Sequence, residues 1–240
     1  MKKTNASLAA LLSCIFLLSS FKTHTMQTDN RLTDKEKNEG WQLLFNGNDM
    51  SGWRTYQNKP GSWRVTDGAF NCRKIDGDTY SDLITEKQYE NFELAIDWKM
   101  EPKANSGIMY MVTEDNEHSF QSGPEYQVVD DIGFPSKLED YQKTGADYAM
   151  YAPTLKAFKA AGEWNHTLIV KNGAHVEHWL NGKKVVEYEL WSDDWMKRKE
   201  HSKWKDEASY GAAKIGHIAL QDYHGEGMVW YKNIKIKELK

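Results

Sequence analysis

The run NHTLIVKNGAHVEHWLNGKKVVEYEL, residues 165–190, decides the fold class. Asn172-Gly173 and Asn181-Gly182 separate three segments, His166 to Lys171, His175 to Leu180 and Lys183 to Leu190, in which apolar and polar residues alternate. Alternation of period two marks a strand buried on one side. Asn-Gly between two such runs supplies the positive φ angles of a tight hairpin. The stretch therefore predicts a three-stranded antiparallel meander. The pattern recurs outward from it. Trp63 to Phe70 reads as two short strands about Asp67-Gly68, and Phe92, Leu94, Ile96 and Trp98 alternate with Glu93, Ala95, Asp97 and Lys99. Ile215 to Leu220 and Met228 to Leu239 add two more strands. Two stretches break the pattern: Ile132 to Ala161, expected as a long excursion over a sheet, and Trp191 to Ser209, expected to hold one short helix. Many strands and almost no helix predict an all-β sandwich. We expect two packed antiparallel sheets of jelly-roll type, one of them curved so that its outer face forms a groove; a closed barrel is the alternative.

Lys2 and Lys3 followed by the apolar run Leu8 to Leu18 form a secretory signal, too short for a membrane span. Cleavage is expected between Ser19 and Met26, giving a signal peptide at 1–25, a flexible lead-in at 26–39 and one domain at 40–240. Export to the periplasm or the extracellular space follows. Lipid attachment at Cys14 ranks second, because Ile15-Phe16-Leu17-Leu18 still follow it. Loss of the two lysines takes the net charge from −4 to −6. Mild acidity without a basic run argues against nucleic acid. Cys72 becomes the only cysteine, which excludes an intrachain disulfide and a Cys-rich zinc site. Gly-x-Ser-x-Gly, His-Glu-x-x-His and a Gly-rich phosphate loop are absent from the sequence.

Candidate chemistry centres on Gly123-Pro124-Glu125-Tyr126-Gln127-Val128-Val129-Asp130. As a strand it places Tyr126 and Val128 on one face and Glu125, Gln127 and Val129 on the other. Glu125 can be an acid or base on a groove floor, steadied by Gln127; the plainer reading is a charged residue on a solvated face. Asp222 and His224 follow a strand end, where Asp222 could orient the histidine or join it at a cation, or both could be ordinary turn residues. Gln221 is expected to face the groove beside Gln127. Asn105 and Ser106, before Gly107, are candidate donors to ligand hydroxyls. His178 lies with Val176 and Leu180, a setting that also suits a hydrogen-bonded core histidine. Trp179, on the opposite face with His175 and Glu177, could line the groove or plain surface. Both are carried as substrate-binding candidates.

An ordered set of short motifs gives these residues a family. It comprises Gly40-Trp41-Gln42-Leu43-Leu44-Phe45-Asn46-Gly47 with Gly52-Trp53, Trp63 to Phe70, Tyr89-Glu90-Asn91-Phe92-Glu93-Leu94, Asn105-Ser106-Gly107-Ile108 and Glu125 to Asp130. Gly162-Glu163-Trp164-Asn165, His178-Trp179-Leu180-Asn181-Gly182, Ser202-Lys203-Trp204 and Leu220-Gln221-Asp222 complete it. Together they resemble the 3-keto-disaccharide hydrolase family over nearly all of the chain after residue 40. The resemblance implies a concanavalin A-like jelly roll and cleavage of glycosides whose sugar is oxidised at C3. It implies C2 proton abstraction, elimination and hydration, with a carbohydrate substrate. Glu125 would be the base or a cation ligand, and His224 with Asp222 the proton donor or co-ligands. Asn105, Gln127 and Gln221 would hold sugar hydroxyls. The metal is unknown; one divalent cation is a possible cofactor. A non-catalytic carbohydrate-binding protein is the alternative. The chain departs from the family in carrying Met111 where an Arg is usual, which puts substrate specificity in question. The acidic triplet of laminarinase-type enzymes appears only as Glu125-x-Gln127-x-x-Asp130, which argues against double-displacement hydrolysis.

Overall fold

A computed structural model describes residues 29–72, 81–222 and 226–240. The signal at 1–25, Cys14 and His224 lie outside the described residues. In chain order the strands are β1 (Trp41–Leu43), β2 (Trp53–Thr55), β3 (Trp63–Thr66), β4 (Ala69–Cys72), β5 (Leu83–Thr85), β6 (Phe92–Met100), β7 (Asn105–Val112) and β8 (Glu125–Val129). They continue with β9 (Asn165–Asn172), β10 (His175–Leu180), β11 (Lys183–Glu189), β12 (His217–Leu220) and β13 (Val229–Glu238). Two antiparallel sheets result. The larger runs β11-β10-β9-β6-β13-β4-β3, with β1 also on β13, and the smaller runs β2-β5-β12-β7-β8. The expected sandwich of two antiparallel sheets is therefore the observed fold.

The meander forms β9, β10 and β11, but its two Asn-Gly pairs act differently. Leu180 pairs with Lys183, and Asn181 and Gly182 take φ of 50° and 78°, the two-residue hairpin turn that Asn-Gly favours. Asn172 instead belongs to β9 and pairs with His175, so Gly173-Ala174 makes the turn and only Gly173, at φ 61°, needs the left-handed region.

Inward residues of the large sheet, among them Phe92, Leu94, Ile96, Trp98, Ile169 and Tyr231, pack on Leu83, Ile108, Tyr110, Tyr126, Val128 and Leu220 of the small one. Burial of this aromatic-rich layer drives the sheets together. Met111 joins that core, fully buried at φ 59° where the β7–β12 register shifts, so its side chain faces the interior.

Helix α1 (Asp34–Asn38) starts at a Thr33–Glu36 capping box. The lead-in expected to be flexible is, from Asp29 onward, tied to the large sheet. Asn30 N–H donates to Asn233 Oδ1 at 2.6 Å, Lys232 pairs with Asp29 at 2.7 Å, and Lys235 pairs with Glu36. Polar residues order here because the outer face of β13 offers lysines to meet their acids.

The excursion after β8 protects the small sheet's edge. Gly145 N–H donates to Gln127 O at 2.9 Å, Gln127 N–H to Ala146 O at 3.1 Å and Tyr148 N–H to Glu125 O at 2.9 Å. The expected helix is α2 (Asp193–His201), capped by Ser192, with Asp193 and Asp194 in its first turn and Arg198 and Lys199 in its last. Among the described residues no helix is long and apolar enough to cross a membrane.

Candidate active site

Alternation on the small sheet puts Ile108, Tyr126, Val128 and Leu220 inward, so Asn105, Gly107, Glu125, Gln127 and Gln221 face out. The register sets Gly107 opposite Gln127 and Met109 opposite Glu125, which brings these outward residues side by side. Loops rise round them. The result is a cleft of about 300 Å³ lined by Asn105, Phe120, Glu125, Gln127, Tyr148, Lys203 and Gln221.

Glu125 lies on its floor, only 4% exposed. Gly107 gives it room: a Cβ there would overlap the carboxylate and lie 2.7 Å from Glu125 Cγ and Cδ. Burial pushes the Glu125 carboxyl up to about 8; the Lys203 charge pulls it down, and Asp82 and Asp147 push it up. Burial lowers Lys203 from the usual lysine value, and the negative charge of Glu125 opposes that. The ammonium lies over Trp204 at 4.2 Å and Tyr148 at 4.3 Å from the ring centroids, and 5.9 Å from Phe120. An aromatic cage keeps a desolvated cation charged. Trp204 Nε1–H donates to Tyr148 O at 3.0 Å and so joins two walls of the cleft.

Three amides complete the lining. Gln127 Nε2 donates to Asn105 Oδ1 at 3.3 Å and Gln142 O at 3.2 Å. Gln127 Oε1 is buried without a hydrogen-bond partner, an acceptor that a ligand hydroxyl would satisfy. Gln221 is held by its backbone, N–H to Gly107 O at 2.9 Å and C=O from Ser106 Oγ at 2.6 Å.

The structure thus brings together Glu125, Gln127, Asn105 and Gln221. Asp222 follows Gln221; its N–H donates to Asp82 Oδ1 at 2.8 Å, and burial with the Asp82 charge pushes its carboxyl up to about 8. Three expectations need correction. Ser106 points between the sheets, where its hydroxyl meets Gln221 O and Tyr231 OH at 2.7 Å, so it supports the lining and does not form it. His178 is wholly buried, with Tyr110 OH and Gly145 O as its partners. Trp179 lies on the outer face of the large sheet, its Nε1–H donating to Glu177 Oε2 at 2.7 Å. Lys203, Tyr148, Phe120 and Asp82 were not foreseen. Lys203 stands in a matched motif, Ser202-Lys203-Trp204; Tyr148 and Phe120 come from loops without periodicity.

Among the described residues, the one group of three His, Asp or Glu donors within 4.8 Å of one another is His175, Glu177 and Glu187, none of which lines the cleft. His175 and Glu177 already meet one another at 3.4 Å, and Lys184 meets Glu177 at 3.1 Å and Glu187 at 2.7 Å.

A polar cleft with one carboxylate among its described lining residues, on a jelly-roll scaffold, suits a glycoside-cleaving enzyme. The chain belongs to the 3-keto-alpha-glucoside-1,2-lyase-like domain family, whose model matches residues 40–237. It is 31% identical over 232 residues to a 3-keto-disaccharide hydrolase of Bacteroides thetaiotaomicron, covering 84% of this chain and 79% of that one. A crystal structure of a proposed glycosyl hydrolase from Parabacteroides distasonis superposes with a TM-score of 0.82 at 39% identity, covering 89% of this chain and 100% of the other. The carbohydrate-binding module CBM66 of Bacillus subtilis shares the fold alone, with a TM-score of 0.50 at 13% identity, covering 79% and 98%.

Proposed function

We propose that this protein, exported to the periplasm or cell exterior, cleaves 3-keto-glycosides by elimination followed by hydration. A ketone at C3 acidifies the hydrogen on C2. Glu125, ionised, takes that proton; the C–H electron pair forms the enolate, whose charge settles on the C3 oxygen beside the Lys203 ammonium. Collapse of the enolate forms the C1=C2 double bond and breaks the bond from C1 to the glycosidic oxygen. The departing oxygen takes a proton and leaves as the alcohol. Water then adds to C1 and a proton returns to C2, so the sum is hydrolysis. Asp222 lies outside the cleft lining, so the departing oxygen takes its proton from solvent water. Asn105, Gln127 and Gln221 hold the ring hydroxyls.

The observation that carries this reading is Glu125 beside a caged lysine in a cleft whose lining, among the described residues, holds no second carboxylate. A double-displacement glycosidase needs two acids about 5 Å apart across the bond, whereas proton abstraction next to a ketone needs one base and one positive charge. The test is aglycone release from a 3-keto-glucoside beside the unoxidised glucoside. Release from the keto sugar alone supports the proposal. Saturable binding of both without product points to a carbohydrate-binding protein and ends it.

A further inference from the structure

Behind the cleft floor lies a second set of ionisable side chains that this reaction does not use. Asp147 is fully buried and bridges Tyr126 of β8. Its carboxyl meets the Glu125 backbone N–H and the Tyr188 and Tyr210 hydroxyls. Tyr210 donates to Oδ1 at 3.3 Å, and Oδ2 is buried without a hydrogen-bond partner. A chain continues beyond Tyr188. Its hydroxyl is 2.6 Å from Tyr110 OH, Tyr110 OH is 3.0 Å from His178 Nε2, and His178 Nδ1 is 3.1 Å from Gly145 O.

The last link fixes the direction of the rest. A carbonyl oxygen only accepts, so His178 Nδ1 carries a hydrogen. Burial pushes His178 down to about 4, which leaves the ring neutral and Nε2 an acceptor. Tyr110 therefore donates to His178 and accepts from Tyr188. Tyr188 then has no hydrogen left for Asp147, and Asp147 Oδ2 stays buried with no hydrogen-bond partner. A carboxylate would leave its charge buried and unpaired at that oxygen, a desolvation cost that the neutral acid does not carry.

We infer that Asp147 is carried as the neutral acid at the head of a one-way hydrogen-bond chain ending on Gly145, and that it is a positioning residue for Glu125. Below neutrality it holds β8 and the Gly145–Tyr148 wall together without setting a second negative charge behind the cleft. Burial agrees, pushing Asp147 up to about 7. The groups that face Asp147 are Tyr110 of β7, Glu125 of β8, Tyr188 of β11, Tyr210 after α2 and Tyr151 of its own loop. Those that bear on Glu125 are Lys203, Asp82 and Asp147, and the Glu125 charge bears in turn on Tyr148, Tyr210 and Tyr231. Above neutrality Asp147 ionises and opposes the ionisation of Glu125 (like charges repel).

The positioning role rests on Glu125 as base, but its test needs no substrate. Carboxyl 13C NMR titration of the whole protein, with Asp147→Asn and Tyr110→Phe, follows both acids directly. The inference expects Asp147 protonated at pH 6. In Tyr110→Phe, Tyr188 is freed to donate to the carboxylate, and the Asp147 midpoint falls by about one unit. In Asp147→Asn, whose amide can make the same bonds, the Glu125 midpoint moves to lower pH, and so does the acid limb of turnover. Because Asp147 is raised above its unfolded value, wild type loses stability as pH rises from about 4 towards 7. Asp147→Asn should match it near pH 4 and exceed it above about pH 8. An Asp147 already ionised at pH 5, or both midpoints unmoved in folded variants, overturns the inference. Wild type inert on 3-keto-glucosides would overturn the proposed function and leave the titrations to decide the chain.

Discussion

Replacing Gly107 with alanine separates the position of the carboxylate from the stability of the fold. The added methyl would overlap the Glu125 carboxylate and lie 2.7 Å from Cγ and Cδ. Relief requires the acid to move by about 1 Å, and a misplacement of that size at a reacting centre costs roughly 100-fold in rate. The backbone has no objection, because Gly107 is not among the residues with positive φ. Strain in the Glu125 side chain costs about 0.5–1.5 kcal/mol, and the restricted unfolded chain returns about 0.4–1 kcal/mol. Net stability should therefore change by less than about 1 kcal/mol, a shift in Tm of only a few degrees for a chain of this size. Aglycone release and a thermal melt on the same preparation give both numbers. Wild-type turnover in Gly107→Ala would refute the argument, since it would mean that the carboxylate position seen here is not the working one.

Other consequences concern charge and turns. With Glu125 raised to about 8 and required as the ionised base, kcat/KM should climb about tenfold per pH unit on the acid side and level near pH 8. Its alkaline limb should fall below the ordinary lysine range, because Lys203 is lowered and must stay charged; a pH–rate profile measures both limbs. Lys203→Met should cut kcat by about 100-fold or more and move the acid limb to higher pH, since the Lys203 charge is what pulls Glu125 down. Asn181→Ala removes a residue at φ 50° whose amide donates to Ala157 O and Asn165 Oδ1 and accepts from His166 N–H. It should cost about 2–3 kcal/mol in urea unfolding, with activity per folded molecule unchanged.

Strand parity carried much of the site. Once Tyr126 and Val128 are assigned to the core, Glu125 and Gln127 must face the other way, and Asn105 and Gln221 converge on them through the pairing of β8, β7 and β12. The same rule separates Ser106 from Asn105, because neighbours on a strand cannot share a face, yet both are among the ligand donors expected from sequence. It grouped His178 with Val176 and Leu180 and set Trp179 on the opposite face, but left both as substrate-binding candidates, because parity alone does not say which face of that strand meets the core. What alternation could not reach came from loops. Lys203, Tyr148 and Phe120 enter the cleft from segments with no period, held there by particular contacts such as Trp204 Nε1 on Tyr148 O. Asp82 precedes a three-residue strand too short to show a pattern. The ordering of residues 29–39 depends on lysines of β13 about 200 residues further along the chain, a separation that local sequence does not reveal.

Exchange of the C2 hydrogen of a 3-keto-glucoside with solvent deuterium, followed by mass spectrometry in wild type and Glu125→Gln, tests the central claim most directly. The account predicts enzyme-dependent exchange in wild type and a loss of about 100- to 10,000-fold in a folded Glu125→Gln. Exchange at the wild-type rate in Glu125→Gln, or cleavage without any exchange or isotope effect at C2, would contradict it.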